Sequence, residues 1–458
     1  MKATLTRRRL LKLLTAAGLG APFATRVVAD EADASIQSAP SPENIVVPVS
    51  PRDRYPAVLS RGRVIQPRRP LAVMHETDVL VVGGGPAGFA AAVAAARAGS
   101  KTALIERYGY LGGLWTGGLV LLVYPTHATE KGVRTKVVRG VGDELLERIA
   151  RYPDAATNHA AGKPDPTTDP EITKLVMDQM VREADVTMIF HCWVADVVMD
   201  GNAVRGVVIE SKAGRQAILS KVVVDASGDG DVFAAGGAEH EQRLHAVGLV
   251  HRLGNADRAD LDALRAAGFK NLGEIEPQPS VRWINLRGPS TDGLDIAELS
   301  RLEIEHRRSI WQRMERIRQS SGGDKVFLLQ TAPQIGVRIT RLLAATRQLT
   351  EAEARSGVRP ADTIAVGGTY GPGADNPGFA IPYGALVPKK LDNLIAAGRC
   401  IGVDTPMVED MRLIATCLLT GHAAGVAAAL AVEEGCRPRD VDILRLRQIL
   451  LHQGAFLG

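Results

Sequence analysis

Asp78-Val79-Leu80-Val81-Val82-Gly83-Gly84-Gly85-Pro86-Ala87-Gly88 decides how the chain is read. The first five residues are short, continuous and Val-rich, the pattern of a strand buried on both faces. The glycine turn that follows leads into a run of small residues ending at Ala98, with Gly99 placed as a C-terminal cap. A second strand runs from Lys101 to Glu106. Gly83-x-Gly85-x-x-Gly88 therefore sits between a strand and a helix, and an acid closes the next strand. Each glycine has a reason. Gly83 permits the tight turn, Gly85 lets the backbone approach a pyrophosphate, and Gly88 allows close helix–strand packing. The helix N-terminus supplies free N–H groups and partial positive charge for phosphates. Glu106 can accept ribose hydroxyls and disfavours a 2′-phosphate. The chain is thus expected to bind a dinucleotide.

Downstream, Asp169-Pro170 starts a helix that continues to about Ala184, Asp as N-cap and Pro at the first helical position. Residues 186–225 read as strands separated by turns at Asp200-Gly201-Asn202 and Ala213-Gly214-Arg215. They end in a buried strand that runs into Ala226-Ser227-Gly228-Asp229-Gly230-Asp231. A charged helix is expected near Ile296 to Gln319, a strand at Asn393–Ala397 and an apolar helix from about Leu413 to Glu434. Arg412, His422 and Glu433 bracket that last helix, which reads as a soluble core element rather than a membrane span.

These pieces resemble the FAD-dependent oxidoreductases of the glutathione-reductase-type FAD fold, on the branch distantly like succinate dehydrogenase and fumarate reductase flavoproteins. The resemblance rests on Val82–Gly88, Glu106-Arg107 with the segment Gly112–Gly118, the strands ending at Asp231, the run Ile335–Arg341, and the block 381–431. It implies an α/β fold: a Rossmann-like FAD-binding domain, with a parallel sheet plus a β-meander, interrupted by a mixed α+β substrate domain. The expected organisation is a FAD-binding domain at 76–234, a substrate or cap domain at 235–385, and the returning FAD-binding part at 386–458. Beyond Gly83, Gly85, Gly88 and Glu106, the resemblance implies cofactor contacts from Pro86, Ala87, Arg107, Gly112, Gly113, Val194, Ala226, Ser227, Gly228, Gly398, Arg399, Asp404, Arg412, Leu413 and Ile414. The histidine that anchors FAD covalently in fumarate-reductase relatives has no counterpart in Gly112–Gly118, so the FAD is expected to be noncovalent.

The 458 residues carry a formal charge of +4, which raises the question of a nucleic-acid partner. Lys2, Arg7, Arg8, Arg9, Lys12 and Arg26 all fall within residues 1–29, with no acid among them, and the remainder is −2. No nucleic-acid partner is therefore expected. The apolar run Leu10–Ala24 is short for a spanning helix, and Val27-Val28-Ala29 offers a cleavage site. Thr6-Arg7-Arg8-Arg9-Leu10-Leu11-Lys12 resembles the twin-arginine export signal, with Leu10 where the motif usually has Phe. This implies residues 1–29 as a signal peptide, the twin-arginine (Tat) export machinery as a partner, and a periplasmic protein that is not integral to the membrane once processed. Residues 30–75, rich in Pro and Ser, read as an extended linker or arm.

Four cysteines without a C-x-x-C pair exclude a thiol relay, a zinc ribbon and attached haem. No metal is expected. On the substrate side the candidates are His240, His245, His251, Arg252, Arg282, Arg338, Arg341 and Tyr383. His251, Arg338 and Tyr383 are the expected catalytic set. His251 could abstract a proton, or serve as a structural strand histidine. Arg338 and Arg341 would share a face if helical and clamp a carboxylate, or pair with Glu351 and Glu353. The expected activity is hydride transfer from a small organic substrate to FAD, with electrons leaving to a quinone, a cytochrome or oxygen. Two alternatives stay open: a fumarate-reductase-like reductase of an activated alkene, and a non-catalytic flavin-bearing binding protein.

Overall fold

In the computed structural model, residues 56–157, 165–368 and 377–458 are described. The segment 1–29 read as a signal peptide, and the linker as far as residue 55, lie outside them. Of the described residues, those from 56 to Pro70 belong to a unit of their own. In it Val58–Ser60 and Arg63–Ile65 make an antiparallel hairpin over Arg61-Gly62, both at positive φ as a tight hairpin turn requires. The linker expected at 30–75 is therefore partly regular structure.

From Leu71 onward the chain is built on one central sheet. Strand β1 (Val73–Val82) precedes helix α1 (Pro86–Arg97) and strand β2 (Thr102–Ile105). Helix α2 (Pro170–Glu183) follows, its first N–H groups donated to the Asp169 carboxylate by Glu171 and Ile172, each at 2.9 Å. Next come β3 (Thr187–Ile189), β4 (Trp193–Asp200), β5 (Ala203–Ser211) and β6 (Gly214–Asp225). Strands β3, β2, β1 and β6 are parallel neighbours in that order. The N-terminal half of β6 continues antiparallel into β5 and β4, the expected meander. Strand β1 starts five residues earlier than the sequence suggested. Val73, Met74 and Glu76 are exposed, His75 is half-buried and Thr77 is a buried polar residue, so this stretch lacks the continuous apolar signature of the residues that follow.

The cap is a four-stranded antiparallel sheet. Its strands run in the order Glu274–Ile275, β8 (Arg282–Asn285), β7 (Val250–Gly254) and β9 (Phe327–Thr331). Helix α3 (Ile296–Gln319), capped by Asp295, buries Leu302, His306, Ile310, Met314 and Ile317, a seam with helical spacing. The chain then returns to the central sheet. Strand β10 (Leu394–Ala396) pairs in parallel with the C-terminal end of β6.

Helix α4 (Ile414–Glu434) closes the core against α1. It is long and apolar enough to cross a membrane, yet its most apolar window is entirely buried inside the protein. Small residues explain the close packing. A Cβ at Gly421 would lie 2.0 Å from the Ala87 carbonyl oxygen, and one at Gly425 would lie 2.1 Å from that of Ala91. His422 on the same helix is 2% exposed, its Nε2 2.8 Å from Gln453 Oε1.

His422 and His251 give the fold a pH dependence. Burial, aided by the charge of Arg97, lowers His422 to about 4. Burial and the Arg313 guanidinium do the same to His251, also about 4. The unfolded imidazoles titrate near 6.5. Between about pH 6.5 and 4 the unfolded chain therefore binds more protons, and stability falls as pH drops through that window. Each histidine contributes at most about 3 kcal/mol of this loss. Urea midpoints measured from pH 7 to pH 4 should fall steeply for the natural chain and less steeply for H251Q or H422Q. Parallel curves would place the acid sensitivity elsewhere.

Candidate functional site

Three loops converge at the C-terminal ends of the parallel strands. The first is the glycine turn. Gly83 has φ 97°, and a Cβ there would sit 2.6 Å from the Ala226 carbonyl oxygen. A Cβ on Gly88 would lie 1.7 Å from Gly83 O, so this glycine serves helix–turn packing. Gly85 is different: nothing lies within 4 Å of its Cβ position. It caps α1 without a side chain and Pro86 opens the helix, leaving N–H groups directed at open space.

The second loop folds over the first. Gly112 N–H donates to Gly84 O at 2.8 Å, and Gly113, at φ 52°, brings its backbone against Gly85. Glu106 is 7% exposed. Its carboxylate accepts Gly84 N–H at 2.7 Å and Tyr108 N–H at 2.9 Å. The Arg107 guanidinium stacks on the Trp193 ring, 4.9 Å from its centroid.

The third loop, at 226–231, is organised by Asp225, which is fully buried. One carboxylate oxygen accepts the Ser227 N–H and hydroxyl, and the other accepts Val232 and Phe233 N–H at 3.0 Å each. Burial raises its pKa, and the four donors oppose that rise. Gly228, at φ 80°, lies under Arg399, whose Nη2 pairs with Asp229 at 2.8 Å. The C-terminal block completes the wall. Gly398 N–H donates to Thr420 on α4 at 3.1 Å, and Arg412, Leu413 and Ile414 form the entry to that helix.

The void between these elements measures about 1440 Å³, its open mouth included. Of the expected cofactor contacts, Gly83, Gly85, Pro86, Ala87, Glu106, Arg107, Gly113, Val194, Ala226, Ser227, Gly228, Gly398, Arg399, Arg412, Leu413 and Ile414 line it. Gly88 and Gly112 stand behind the lining as packing and turn residues. Asp404 is not in the lining. Its carboxylate accepts Glu351 N–H at 2.8 Å and Met407 N–H at 3.3 Å, so it caps a turn.

The expected catalytic set is corrected in two of its three members. Val250 on β7 lines the cavity. His251, the next residue along the strand, therefore faces the other side of the cap sheet, toward Arg313. Tyr383 is buried elsewhere. Its hydroxyl donates to Pro438 O at 2.7 Å, and burial pushes its pKa up. Arg338 does line the cavity.

Arg338 and Arg341 do not share a helix face. Residue 336 bridges to Gly248 and Arg341 begins a strand against Gln242, so the segment is held extended. Arg341 pairs with Asp231 at 3.1 Å, and neither arginine meets Glu351 or Glu353, which pair with Arg355 and Arg347. The other candidates are engaged structurally: His245 with Glu409, Arg252 with Glu276, Arg282 with backbone carbonyls, His240 with Ala238 O.

The cap wall that sequence reasoning missed comprises Gly248, Val250, Asn285, Gln334 and Gly336. They are scattered over the chain and belong to no spaced motif; only Gly336, inside the Ile335–Arg341 run, carried any signal. Among the described residues, no group of three or more His, Cys, Asp or Glu is placed to hold a metal.

The cavity fits FAD. The Gly85 opening and the α1 N-terminus form a cradle for a pyrophosphate that a side chain would fill. Arg399 Nη1 is buried with no protein partner on the wall of the same cavity. Glu106 keeps lone pairs for ribose hydroxyls.

Comparison with known proteins agrees. The chain matches the FAD dependent oxidoreductase family over residues 78–247 and 247–450. It is 30% identical over 162 residues to the thiamine thiazole synthase of Methanococcus vannielii, covering 33% of this chain and 56% of that one. The Aeropyrum pernix thiamine thiazole synthase is 26% identical over 134 residues, 29% of this chain and 43% of the other. The chain thus spans about half the length of the curated relatives it matches. Among solved structures, the geranylgeranyl bacteriochlorophyll reductase-like protein of Thermoplasma acidophilum is similar, with a TM-score of 0.46, 14% identity, and coverage of 83% and 84% of the two chains. The p-nitrophenol 4-monooxygenase of Pseudomonas putida has a TM-score of 0.44 and 15% identity, with 83% and 86% covered. The glycine turn, the acid on the second strand and the returning C-terminal block are those of a flavoenzyme, and the chain belongs to the FAD dependent oxidoreductase family.

Proposed function

We propose that the protein is an exported dehydrogenase or oxidase acting on a small organic substrate and passing electrons to a quinone, a cytochrome or oxygen. Bound FAD supplies a two-electron acceptor for hydride. The observation that carries the reading is the two-walled cavity. One wall is made of the dinucleotide loops, the other of Gly248, Val250, Asn285, Gln334, Gly336 and Arg338 from the cap. The cap wall confines a small molecule against the cofactor and limits its contact with water.

The cofactor is held noncovalently in this reading. Among the described residues, no histidine or tyrosine lines the cavity, and burial pushes the lining thiols Cys192 and Cys417 up to about 11 and about 12. Thiols held protonated are poor nucleophiles. Export by the twin-arginine route to the periplasm rests on residues 1–29. That route carries folded proteins, which suits a chain loaded with its cofactor beforehand.

The decisive experiment is anaerobic mixing of the purified flavoprotein with alcohols, amines, sugars and hydroxy acids. A member of one class should bleach the flavin. If none does, and an activated alkene instead reoxidises the dithionite-reduced protein, electrons flow in the opposite direction and the dehydrogenase reading is wrong.

A further inference from the structure

Arg338 is 7% exposed and has no carboxylate partner among the described residues. Its Nη1 donates to Ala246 O at 2.7 Å and its Nη2 to Asn285 Oδ1 at 2.9 Å, both neutral acceptors. A guanidinium carries five N–H donors, so three remain. The neighbouring charges worsen its position. Burial first, then the charges of Arg412 and Arg287, push its pKa down to about 10. The acid whose charge opposes this, Glu409, is already engaged: Oε1 lies 2.8 Å from His245 Nε2, and Oε2 accepts from Arg412 Nε at 3.0 Å.

A second polar group on the same wall lacks a partner. Gln334 is 8% exposed, lines the cavity, and leaves its side-chain oxygen buried without a hydrogen bond. Buried polar atoms in folded proteins are almost always satisfied, so an orphan on a cavity wall marks where a ligand or water completes the site. Arg399 cannot be the reason for Arg338. Arg399 stands over Gly228, and the neighbouring Gly398 packs against Ala87 at the α1 N-terminus, on the pyrophosphate side. Arg338 belongs to the cap, bound to Ala246 and Asn285.

We propose that Arg338 binds the carboxylate of a small organic acid, and that Gln334 accepts a hydrogen bond from a hydroxyl or amine on the same molecule. This names the substrate class of the activity proposed above and rests on that reading. A carboxylate at Arg338 neutralises the uncompensated charge and takes the free N–H donors with the fork geometry that suits guanidinium. Gln334 then favours an acid carrying a second donor over one without it.

The test uses oxidised holoprotein and ligands with no hydrogen on a hydroxyl-bearing carbon, so that they cannot be oxidised as alcohols. Isobutyrate, isobutyramide, α-hydroxyisobutyrate and inorganic phosphate are titrated by calorimetry, with the flavin absorption difference as a second readout. Isobutyrate should bind at least about tenfold more tightly than isobutyramide, and α-hydroxyisobutyrate more tightly still. R338Q should abolish the preference for acid over amide, and Q334L should remove only the gain from the hydroxyl. If R338Q does not fold, the acid–amide comparison on the natural protein still decides. Equal binding of acid and amide, or phosphate binding in place of the carboxylates, overturns the proposal. Carboxylate binding without bleaching by any substrate would sink the dehydrogenase reading and leave this site standing. Bleaching by a neutral substrate with no carboxylate binding would do the reverse.

Discussion

Gly425→Val is expected to abolish the folded flavoprotein, with a loss of about 4 kcal/mol or more. Any Cβ at this position falls 2.1 Å from the Ala91 carbonyl oxygen, a backbone atom of the facing helix that cannot swing aside. The valine methyls add to that overlap. Helix α1 must then move off α4, and α1 carries the Gly85–Pro86 end of the cofactor cavity. Fold and cofactor should be lost together, read as insoluble protein or as a collapse of both the melting temperature and the flavin content. Gly85→Ala makes the contrast. Its backbone lies at φ −67°, which alanine adopts freely, and its Cβ would meet nothing in the protein. G85A should keep the apoprotein fold, yet weaken FAD binding by about tenfold or more because the methyl enters the pyrophosphate cradle. Equal melting losses in the two variants would contradict this division.

Arg252→Met is expected to cost about 3–5 kcal/mol at neutral pH. Arg252 on β7 donates through Nε to both oxygens of Glu276, at 2.9 and 3.0 Å, and its Nη2 lies 3.9 Å from Asp169 at the start of α2. Glu276 is 1% exposed, and burial already raises its pKa against the pull of Arg252. Without the arginine, a carboxylate remains buried beside the Asp169 charge. Its folded pKa then rises further above the unfolded value near 4.3. The penalty should therefore be small at acid pH and grow as pH rises through the folded value. Urea denaturation from pH 4 to pH 8 measures it. R252M/E276L, which removes both charges, should recover most of the loss. A double variant as unstable as R252M would show that the ion pair is not the cause.

The parts of this fold that were legible in the sequence carry their own local signals. Helix α2 announces itself by Asp169-Pro170, α1 by its glycine turn, and α4 by a long, predominantly apolar and small-residue run that ends before Gly435. The cofactor side of the cavity could be read for the same reason, since tight turns and close backbone approaches demand glycine at set spacings. The substrate side has no such grammar. Asn285 and Gln334 reach the cavity because β8 and the segment after β9 cross it, a consequence of sheet order that no short window contains. For His251 the sequence left two roles open, proton abstraction or a structural strand histidine, because an apolar run does not reveal which strand face meets the ligand; its place away from the cavity fits the structural role. Tyr383 was misread because a phenol looks the same in sequence whether it faces a ligand or donates to a carbonyl such as that of Pro438.

The walls of the cavity are drawn from the start, the middle and the far end of the folded chain. Gly85 and Gly113 must wait for Ser227 and Gly228, and all of them for Gly398 through Ile414. A ribosome would therefore have made more than three hundred residues beyond the glycine turn before β10 could enter beside β6 and α4 could cover α1. Until then β6 presents an open edge, and the small-residue face of α1 has no helix upon it. Contacts so distant along the chain close late and slowly. Capture of the dinucleotide is thus tied to the last stage of synthesis, and a nascent chain stalled before residue 414 should hold no flavin.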